Sequence, residues 1–360
     1  MPHVCTTFAC RLSCHPQPER IPMKLFSGLK LLAVGALFVV GSAQAAEPTR
    51  IKFAFNFTLD GSAGPYLLAL ERGYFKEQGL DVTIDPSSGS GDAVTRVASG
   101  TYQMASADFS TLVEFASRQP AVTPKVVFVM YERAPQAIIS LSSAGIKKPA
   151  DLAGKTVGGG NADGPARLFP ALMRIAGVDP SKITYKQISP QLRDSMLLTG
   201  QVDAVIGNDY TSWFNLKGRG AKRENVDILE YADFGLDVYS NSIIASQALL
   251  RDKPEAVRKF IAAALKGWRD AIADPAAATK AVAARNRLID PVLETERLQF
   301  LIDHKVKTPN VQKYGIGYVD ADRMKKNIAT ITESFELPAA PPVSLVYDPQ
   351  FAPGGKSAVQ

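Results

Sequence analysis

Short apolar runs alternate with helix-like segments along most of the chain. IKFAFNF (51–57) alternates apolar and polar positions and predicts a strand, and LDVTI (80–84) predicts the next one. Between them, PYLLALERGYFKEQG (65–79) predicts a helix that begins at a proline and ends at a glycine, as helices often do. A helix at 92–99 and a strand at 102–107 complete a β-α-β-α-β pattern.

The same pattern recurs one hundred residues further along. Its predicted elements are strands at 155–158, 183–188 and 202–207 and helices at 165–176 and 190–199. Gly64-Pro65 and Gly100 of the first unit recur as Gly164-Pro165 and Gly200 of the second. A repeat on this scale predicts two lobes of one α/β architecture, each a mostly parallel sheet flanked by helices.

Two strand-like runs connect the repeats with the rest of the chain. The run at 126–143 is long enough to cross from one lobe to the other, and the run at 237–246 can return. We therefore expect residues 46–134 and 244–360 to form lobe I and residues 135–243 to form lobe II, joined by two crossing strands.

The N-terminal region has the pattern of an export signal. From Met23, MKLFSGLK is basic, LLAVGALFVV is apolar, and Ala43-Gln44-Ala45 offers small residues for cleavage. This predicts a signal peptide at 23–45, an upstream extension at 1–22 and a periplasmic location for the remainder. An N-terminal membrane anchor is the alternative; no cysteine follows the apolar run, so no lipid anchor is expected.

Removal of the first 45 residues changes the available chemistry. They hold all three cysteines (Cys5, Cys10 and Cys14), two of the three histidines, four basic residues and one acidic residue. The formal charge would fall from +6 to +3, and only His304 would remain of the histidines. A chain without cysteine and with one histidine cannot form a Cys-His nucleophile, a Cys/His zinc site or an iron–sulfur site. We expect no catalytic residues, metal, cofactor or nucleic-acid partner, and we interpret His304 as a surface or packing residue.

Several consecutive motifs resemble one protein family. They are PYLLALERGYFKEQGLDVTI, SGSGDAVTRVASGTYQMASAD, KKPADLAGKTVGG, DPSKITYKQISP and LLTGQVDAVIG. Together they resemble solute-binding proteins of bacterial ABC importers, in the nitrate-, sulfonate- and taurine-binding group and its thiamine-pyrimidine-precursor-binding relatives. The resemblance covers roughly residues 48–335. It implies a type II periplasmic-binding-protein fold, a small-molecule ligand between the lobes, and a monomer that serves an ABC permease with a cytoplasmic ATPase.

The same family contains fungal-type pyrimidine synthases that use a cysteine-rich motif. This chain has no cysteine after residue 14 and so departs from that pattern. A secreted enzyme acting on a pyrimidine precursor and a receptor-associated sensor module nevertheless remain alternatives to the importer component.

In such folds the loops after the carboxyl ends of the strands line the ligand crevice. In the first lobe the candidate ligand-binding residues are Asn56, Phe57, Asp60, Ser88, Gly89, Asp92 and Asp108. Phe57 could instead pack in the core, and Asp60 and Asp92 could instead cap helices.

The corresponding second-lobe candidates are Gly159, Asn161, Arg167, Asn208, Asp209 and Tyr210, with Tyr239 and Asn241 on the return strand. GGGNADG (158–164) could be a flexible turn, and Tyr210 or Trp213 could pack rather than stack on a ligand ring.

Charge near these positions favours one class of ligand. Five aspartates, including Asp163, outnumber Arg133 and Arg167, and their negative charge disfavours the binding of an anion. The sequence therefore favours a pyrimidine-like heterocycle over a sulfonate, taurine or nitrate. Arg167 could reverse this preference by pairing with an acidic ligand group.

Overall fold

The computed structural model describes residues 47–160 and 164–352. The predicted signal peptide, Asn161 and Asp163 lie outside these ranges. All described residues belong to one compact unit, residues 46–360. Within the described ranges, no helix combines the length and the apolar character needed to cross a bilayer.

Within the part of the chain that the structure describes, ten strands form two five-stranded sheets. The strands are β1 (Thr49–Phe55), β2 (Leu80–Pro86), β3 (Met104–Asp108), β4 (Lys125–Val129), β5 (Gln136–Leu141), β6 (Thr156–Gly159), β7 (Thr184–Gln187), β8 (Ala204–Asn208), β9 (Val226–Glu230) and β10 (Asn241–Ala245). The first sheet has the order β2-β1-β3-β10-β4, and the second has the order β7-β6-β8-β5-β9. The predicted repeat is therefore present in space as well as in sequence.

Both sheets are mixed: four strands of each run in the same direction, in line with the predicted mostly parallel sheets, and one strand is reversed. β1 pairs in parallel with β2 and β3, whereas β10 runs antiparallel to β3 and β4. In the second sheet β6 pairs in parallel with β7 and β8, whereas β5 runs antiparallel to β8 and β9. The reversed strand occupies the fourth position in both sheets.

Helices flank the sheets and make up most of the C-terminal third. They are α1 (Gly64–Glu71), α2 (Tyr74–Glu77), α3 (Ser90–Ala98), α4 (Phe109–Arg118), α5 (Gly164–Ile175), α6 (Pro190–Leu198), α7 (Asp209–Lys217), α8 (Gln247–Asp252), α9 (Pro254–Ala273), α10 (Pro275–Arg285), α11 (Pro291–Leu301), α12 (Pro309–Tyr314), α13 (Ala321–Ser334) and α14 (Val343–Val346). A π-helix at Ile302–Val306 directly continues α11.

The chain passes between the sheets twice. The predicted crossing run at 126–143 consists of β4 in the first sheet and β5 in the second, joined by residues 130–135. The chain returns after β9 and enters the first sheet as β10. The lobe boundaries given above stay a prediction.

Helix α9 covers the first sheet through aromatic contacts. The ring of Phe260 stacks on Phe53 and Phe75, with centroid distances of 5.1 and 4.9 Å. Two turns further along α9, a Cβ on Gly267 would lie 2.2 Å from the carbonyl oxygen of Pro65. The missing side chain lets α9 approach α1 closely.

Two strands run directly into helices at equivalent points of the repeat. Asp108 ends β3 and caps α4, and Asn208 ends β8 and precedes α7. Both residues have an extended backbone with ψ of 135°, which turns the chain from strand to helix. Their side chains consequently project from the carboxyl edges of the two sheets.

Candidate functional site

A cavity of about 560 Å³ lies between the two sheets. Ten of the residues predicted from the sequence line it: Asn56, Phe57, Asp60, Ser88, Gly89, Asp92, Asp108, Asn208, Tyr210 and Asn241. We call the lining residues of 56–111 together with Asn241 the first wall, and those of 160–211 the second wall. The volume falls in the range of small-molecule pockets.

The first wall contains a small amide network. The Asn56 N–H donates to Ser106 Oγ at 3.0 Å, and the Ser106 hydroxyl donates to Asn56 Oδ1 at 2.9 Å. Asn56 Nδ2 in turn donates to Asn241 Oδ1 at 3.1 Å. These contacts hold two amide side chains beside each other, where β1 ends and β10 begins. Both amides are therefore oriented before a ligand binds.

Two aromatic side chains contribute apolar surface to the cavity. Phe57 is half-buried and lines the cavity. Tyr210 is only 4% exposed and makes an edge contact with Tyr131 at a centroid distance of 6.4 Å. Burial raises the pKa of Tyr210 well above its ordinary value, so its hydroxyl keeps its proton.

The side chain of Asp60 accepts hydrogen bonds from its own loop. Its Oδ1 accepts from the N–H of Ser62 at 2.9 Å and from the hydroxyl of the same residue at 2.5 Å. Its Oδ2 lies 4.0 Å from Nη1 of the buried Arg297. Asp60 therefore caps the short 3₁₀-helix at Gly61–Ala63 while it lines the cavity.

Asp92 is likewise paired within the protein. Its Oδ2 accepts from the Ser88 N–H at 3.0 Å, and its Oδ1 accepts from Arg96 Nε at 2.9 Å. The Ser88 hydrogen bond and the Arg96 guanidinium lower the pKa of Asp92. The carboxylate is ionised near neutral pH, and Arg96 offsets its charge.

Asp108 connects the first wall to both passages between the sheets. Its Oδ1 accepts from the N–H of Ser110 at 2.9 Å and from the hydroxyl of Ser110. Its Oδ2 accepts from Ser240 Oγ at 2.9 Å and from Gln136 Nε2 at 3.2 Å, on the returning and outgoing segments. Burial raises the pKa of Asp108. With four donors already present, Asp108 organises the wall more than it offers a free acceptor.

Asn208 presents a more available polar group on the second wall. It is half-buried, and its side chain makes no capping hydrogen bond to α7. Among the described residues no side-chain partner of Asn208 is found. A side-chain amide offers a donor and an acceptor side by side, so it can bind the edge of a heterocycle.

Sequence reasoning missed the segment that runs from the end of β7 into the first turn of α6, where residues 187–191 line the cavity. The repeat contained the signal, because this segment occupies the place in the second unit that Ser88–Asp92 occupies in the first.

Arg193 was also missed. Its side chain is buried on the second wall, where Nη1 donates to the Ile206 carbonyl at 2.8 Å and Nη2 to Ser212 Oγ at 3.2 Å. A Cβ on Gly207 would lie 2.5 Å from the guanidinium carbon, so a larger residue there would displace the guanidinium. Arg193 precedes buried Leu197 by one helical turn, a spacing that placed it on the inward face of α6.

Two second-wall candidates lie behind the cavity. Gly159 ends β6, where a Cβ would lie 2.7 Å from the Tyr185 hydroxyl, so its small size serves packing; the neighbouring Gly160 lines the cavity instead. Asp209 is fully buried and pairs with Lys305 Nζ at 2.6 Å. It follows Asn208 by one residue, and the first turn of α7 directs it to the opposite side.

Three other candidates pack elsewhere. Arg167 pairs with Glu114, and its guanidinium lies 4.2 Å from the ring centroid of Phe335. The Tyr239 hydroxyl accepts from the Asp320 N–H at 2.9 Å. Trp213 is 7% exposed in an apolar cluster. These contacts direct all three side chains away from the cavity, so Arg167 does not reverse the predicted ligand preference.

His304, interpreted above as a surface or packing residue, lies with its ring 4.3 Å from that of Phe300.

The charge balance of the cavity differs from the one that the sequence suggested. Asp163 lies outside the described residues; of the other four aspartates, three line the cavity, and each of these has partners within the protein. Arg133 pairs with Glu230 and Asp233 and is not on either wall. The cavity surface that remains for a ligand consists mainly of amides, hydroxyls, two aromatic rings and backbone groups.

Comparison with known families places the chain. A sequence profile described as NMT1/THI5 like matches residues 61–278. The chain belongs to the NMT1/THI5-like family. Its fold is also that of a solved structure, the periplasmic aliphatic sulphonate binding protein SsuA from Escherichia coli, with a TM-score of 0.68 at 13% identity over 84% of this chain and 99% of that one.

Curated relatives include binding proteins and enzymes. The chain is 27% identical to riboflavin-binding protein RibY of Chloroflexus aurantiacus, over 87% of this chain and 89% of that protein. It is 28% identical to a formylaminopyrimidine-binding protein of Halalkalibacterium halodurans, over 68% and 73%. It is 27% identical to 4-amino-5-hydroxymethyl-2-methylpyrimidine phosphate synthase THI13 of Saccharomyces cerevisiae, over 64% and 69%.

Proposed function

We propose that this protein is the substrate-binding component of an ABC importer, which captures a small organic molecule and delivers it to a membrane permease. The observation that carries the proposal is the cavity between two sheets that the chain joins by two passages. Such an arrangement can close over a ligand by rotation about the passages. The similarity to RibY, which extends over nearly the full length of both chains, supports a binding role.

The ligand is a neutral, nitrogen-containing aromatic heterocycle of the pyrimidine or flavin type. Phe57 and Tyr210 provide apolar ring surface, and Asn56, Asn208 and Asn241 provide amides that can match alternating donors and acceptors on a ring edge. The paired wall aspartates repel an anion less than five free ones would, so a sulfonate-type anion is the second candidate. The names of two relatives, for riboflavin and for formylaminopyrimidine, agree with the first.

A ligand screen on refolded, ligand-free protein tests the proposal. Thermal unfolding would be followed with riboflavin, formylaminopyrimidine, 4-amino-5-hydroxymethyl-2-methylpyrimidine, taurine, methanesulfonate and nitrate. A binding compound at a hundredfold excess over its Kd should add about 2.7 kcal/mol to the free energy of unfolding. Stabilisation by taurine or methanesulfonate alone would reject the heterocycle, and stabilisation by none of the six would count against the importer role.

A secreted enzyme acting on a pyrimidine precursor is the second candidate, favoured by the similarity to the synthase. The chain after residue 45 has no cysteine and one histidine, which argues against it. Incubation with each pyrimidine of the screen, followed by mass spectrometry, separates the two: recovery of the unchanged compound supports binding, and a new product supports the enzyme.

We further propose that the protein is a periplasmic monomer. The SsuA structure is named as that of a periplasmic protein, and the predicted signal at 23–45 agrees with that location. Light scattering after size exclusion would measure the mass in solution, and a mass twice that of the chain would contradict the monomer.

A further inference from the structure

Helix α11 and the π-helix that continues it lie behind both walls of the cavity. Leu298, Leu301, Ile302 and Val306 are buried in the apolar cluster that contains Ile51 and Phe53 of the first sheet. The segment is thus anchored to the first sheet, while Leu293 and Phe300 of α11 also pack against the apolar cluster of the second sheet. From this anchored segment two buried cations, Arg297 and Lys305, reach α7, which follows a strand of the second sheet.

Arg297 contacts both walls from behind. Its Nη1 donates to the carbonyl oxygens of Tyr210 and Thr211 at 3.3 and 3.4 Å, and these two residues line the second wall. The same nitrogen lies 4.0 Å from Asp60 Oδ2 on the first wall. One guanidinium therefore lies between the two walls at the base of the cavity.

Glu294 completes this contact on the first wall. Its carboxylate receives two hydrogen bonds from Arg297, at 2.9 and 3.1 Å, and a third from the Gly61 N–H at 2.6 Å. A Cβ on Gly61 would lie 2.4 Å from the Glu294 carbonyl oxygen, so the loop and α11 are in close contact. The first wall is thereby fixed to the helix that carries Arg297.

Lys305 makes the second connection. Its side chain is 0% exposed, and its Nζ lies 2.6 Å from Asp209 Oδ2 and 2.8 Å from Glu230 Oε2. Asp209 stands between two residues of the second wall, and Glu230 ends β9 beside the return passage. Burial of charged groups is costly unless they pair well, so the cluster is stable only while α7 and the π-helix stay in this arrangement.

We propose that Arg297 and Lys305 are positioning residues that hold the segment Asn208–Thr211 against the first wall at the base of the cavity. They set the width of the cavity there, and the sheets can still rotate about the passages. Neither residue needs to touch the ligand. The positioning role does not depend on the proposed function. Its consequence, that the width of the cavity selects the ligand, rests on the proposed function.

The test measures the distance between the sheets without any ligand. The chain from residue 46 has no cysteine, so Thr83→Cys on β2 and Lys186→Cys on β7 would accept nitroxide labels at two exposed positions. Pulsed electron–electron resonance gives the label-to-label distance distribution. Because no ligand is added, the result is independent of the outcome of the ligand screen.

Two variants remove the proposed contacts. Lys305→Met/Asp209→Asn removes one cation and one carboxylate, so Glu230 keeps Arg133 as its partner and no net charge is left uncompensated. Arg297→Lys keeps the charge but loses the planar fork that spans the two carbonyls and Glu294. Circular dichroism establishes that each variant folds; if the double variant does not, Arg297→Lys decides.

A matched control lies on the same pair of helices. Lys217 of α7 and Glu296 of α11 form an ion pair in which the side chains are 38% and 44% exposed. Lys217→Met should leave the distance distribution unchanged, whereas the two test variants should broaden it and move it. Amide exchange of residues 208–217 should become about tenfold faster in the test variants only. Distributions that superimpose on that of the parent in both folded test variants would overturn the proposal.

Discussion

At the scale of single residues, the wall side chains differ in whether the protein already uses them. Asp60, Asp92 and Asp108 each accept hydrogen bonds from their own surroundings. Asn208 has no such partner among the described residues, so its amide can exchange water for a ligand at little internal cost. The wall residue best placed to bind a ligand is therefore the one whose hydrogen-bonding groups are unused, not the one that carries a charge.

Asn208→Ala should weaken binding of the compound that gives the largest stabilisation in the ligand screen. Loss of one or two neutral hydrogen bonds corresponds to about a tenfold rise in Kd. Isothermal titration calorimetry would measure it. The matched control is Asn225→Ala, which removes an exposed asparagine that is not on either wall. Equal Kd values for the two variants would remove Asn208 from the site.

Asp209 predicts a dependence of stability on pH. Burial raises its pKa to about 7, against the opposing charge of Lys305, from 3.8 in the unfolded chain. Between these values the folded protein holds a proton that the unfolded chain has released, so the free energy of unfolding falls as pH rises from about 4 to about 7.

Asp209→Asn should remove the part of this fall in the free energy of unfolding that is due to Asp209. Urea unfolding at intervals from roughly pH 4.5 to 8 would measure the difference between the parent and the variant. Asp322→Asn is the control, because that side chain is 96% exposed. A difference between parent and Asp209→Asn that stays constant across the range would contradict the prediction.

At the scale of elements, the spacing of α9 and α1 depends on one missing side chain. The Cβ of Gly267→Ala would lie 2.2 Å from the Pro65 carbonyl oxygen and 2.6 Å from Ala69 Cβ, and neither helix can yield without disturbing the first sheet. We expect the substitution to lower the free energy of unfolding by about 1–3 kcal/mol, as overpacking usually does.

Gly91→Ala is the matched control for Gly267→Ala. Gly91 also lies in a helix, α3, and a Cβ there would meet no atom within 4 Å. Urea unfolding should show that this variant is at least as stable as the parent, because alanine favours the helix. Equal destabilisation by both substitutions would mean that the α9–α1 contact is looser than the structure shows.

At the scale of the whole molecule, the predicted signal peptide can be tested directly. Expression of the full chain in a Gram-negative host should yield a periplasmic protein that begins at Ala46, because Ala43-Gln44-Ala45 has the small residues that signal peptidase requires. Intact mass spectrometry of the osmotic-shock fraction would identify the terminus. Ala45→Phe should block the cleavage. A released protein that retains residues 23–45 would contradict the prediction.

Much of the fold could be predicted because its signals are local. Each signal acts within a few residues: glycines end helices, prolines begin them, and alternating apolar runs form strands. Because the unit is repeated, each signal occurs twice in the chain. The reversed strands β5 and β10 depend on pairing between residues about a hundred positions apart, for example Asn241 with Asp108, and no local pattern specifies such a partner.

The site was predictable to the extent that it follows strand ends. Sequence alone determined that Asn56, Asp108 and Asn208 leave the carboxyl edges of two similar sheets, because strand-to-helix turns are locally encoded. Only the tertiary structure decided that Asp209 turns from the cavity to Lys305 and that Arg167 turns to Glu114. Side-chain direction depends on which partner a distant segment supplies, and α11 with the π-helix that continues it, nearly a hundred residues away, supplies Arg297 and Lys305.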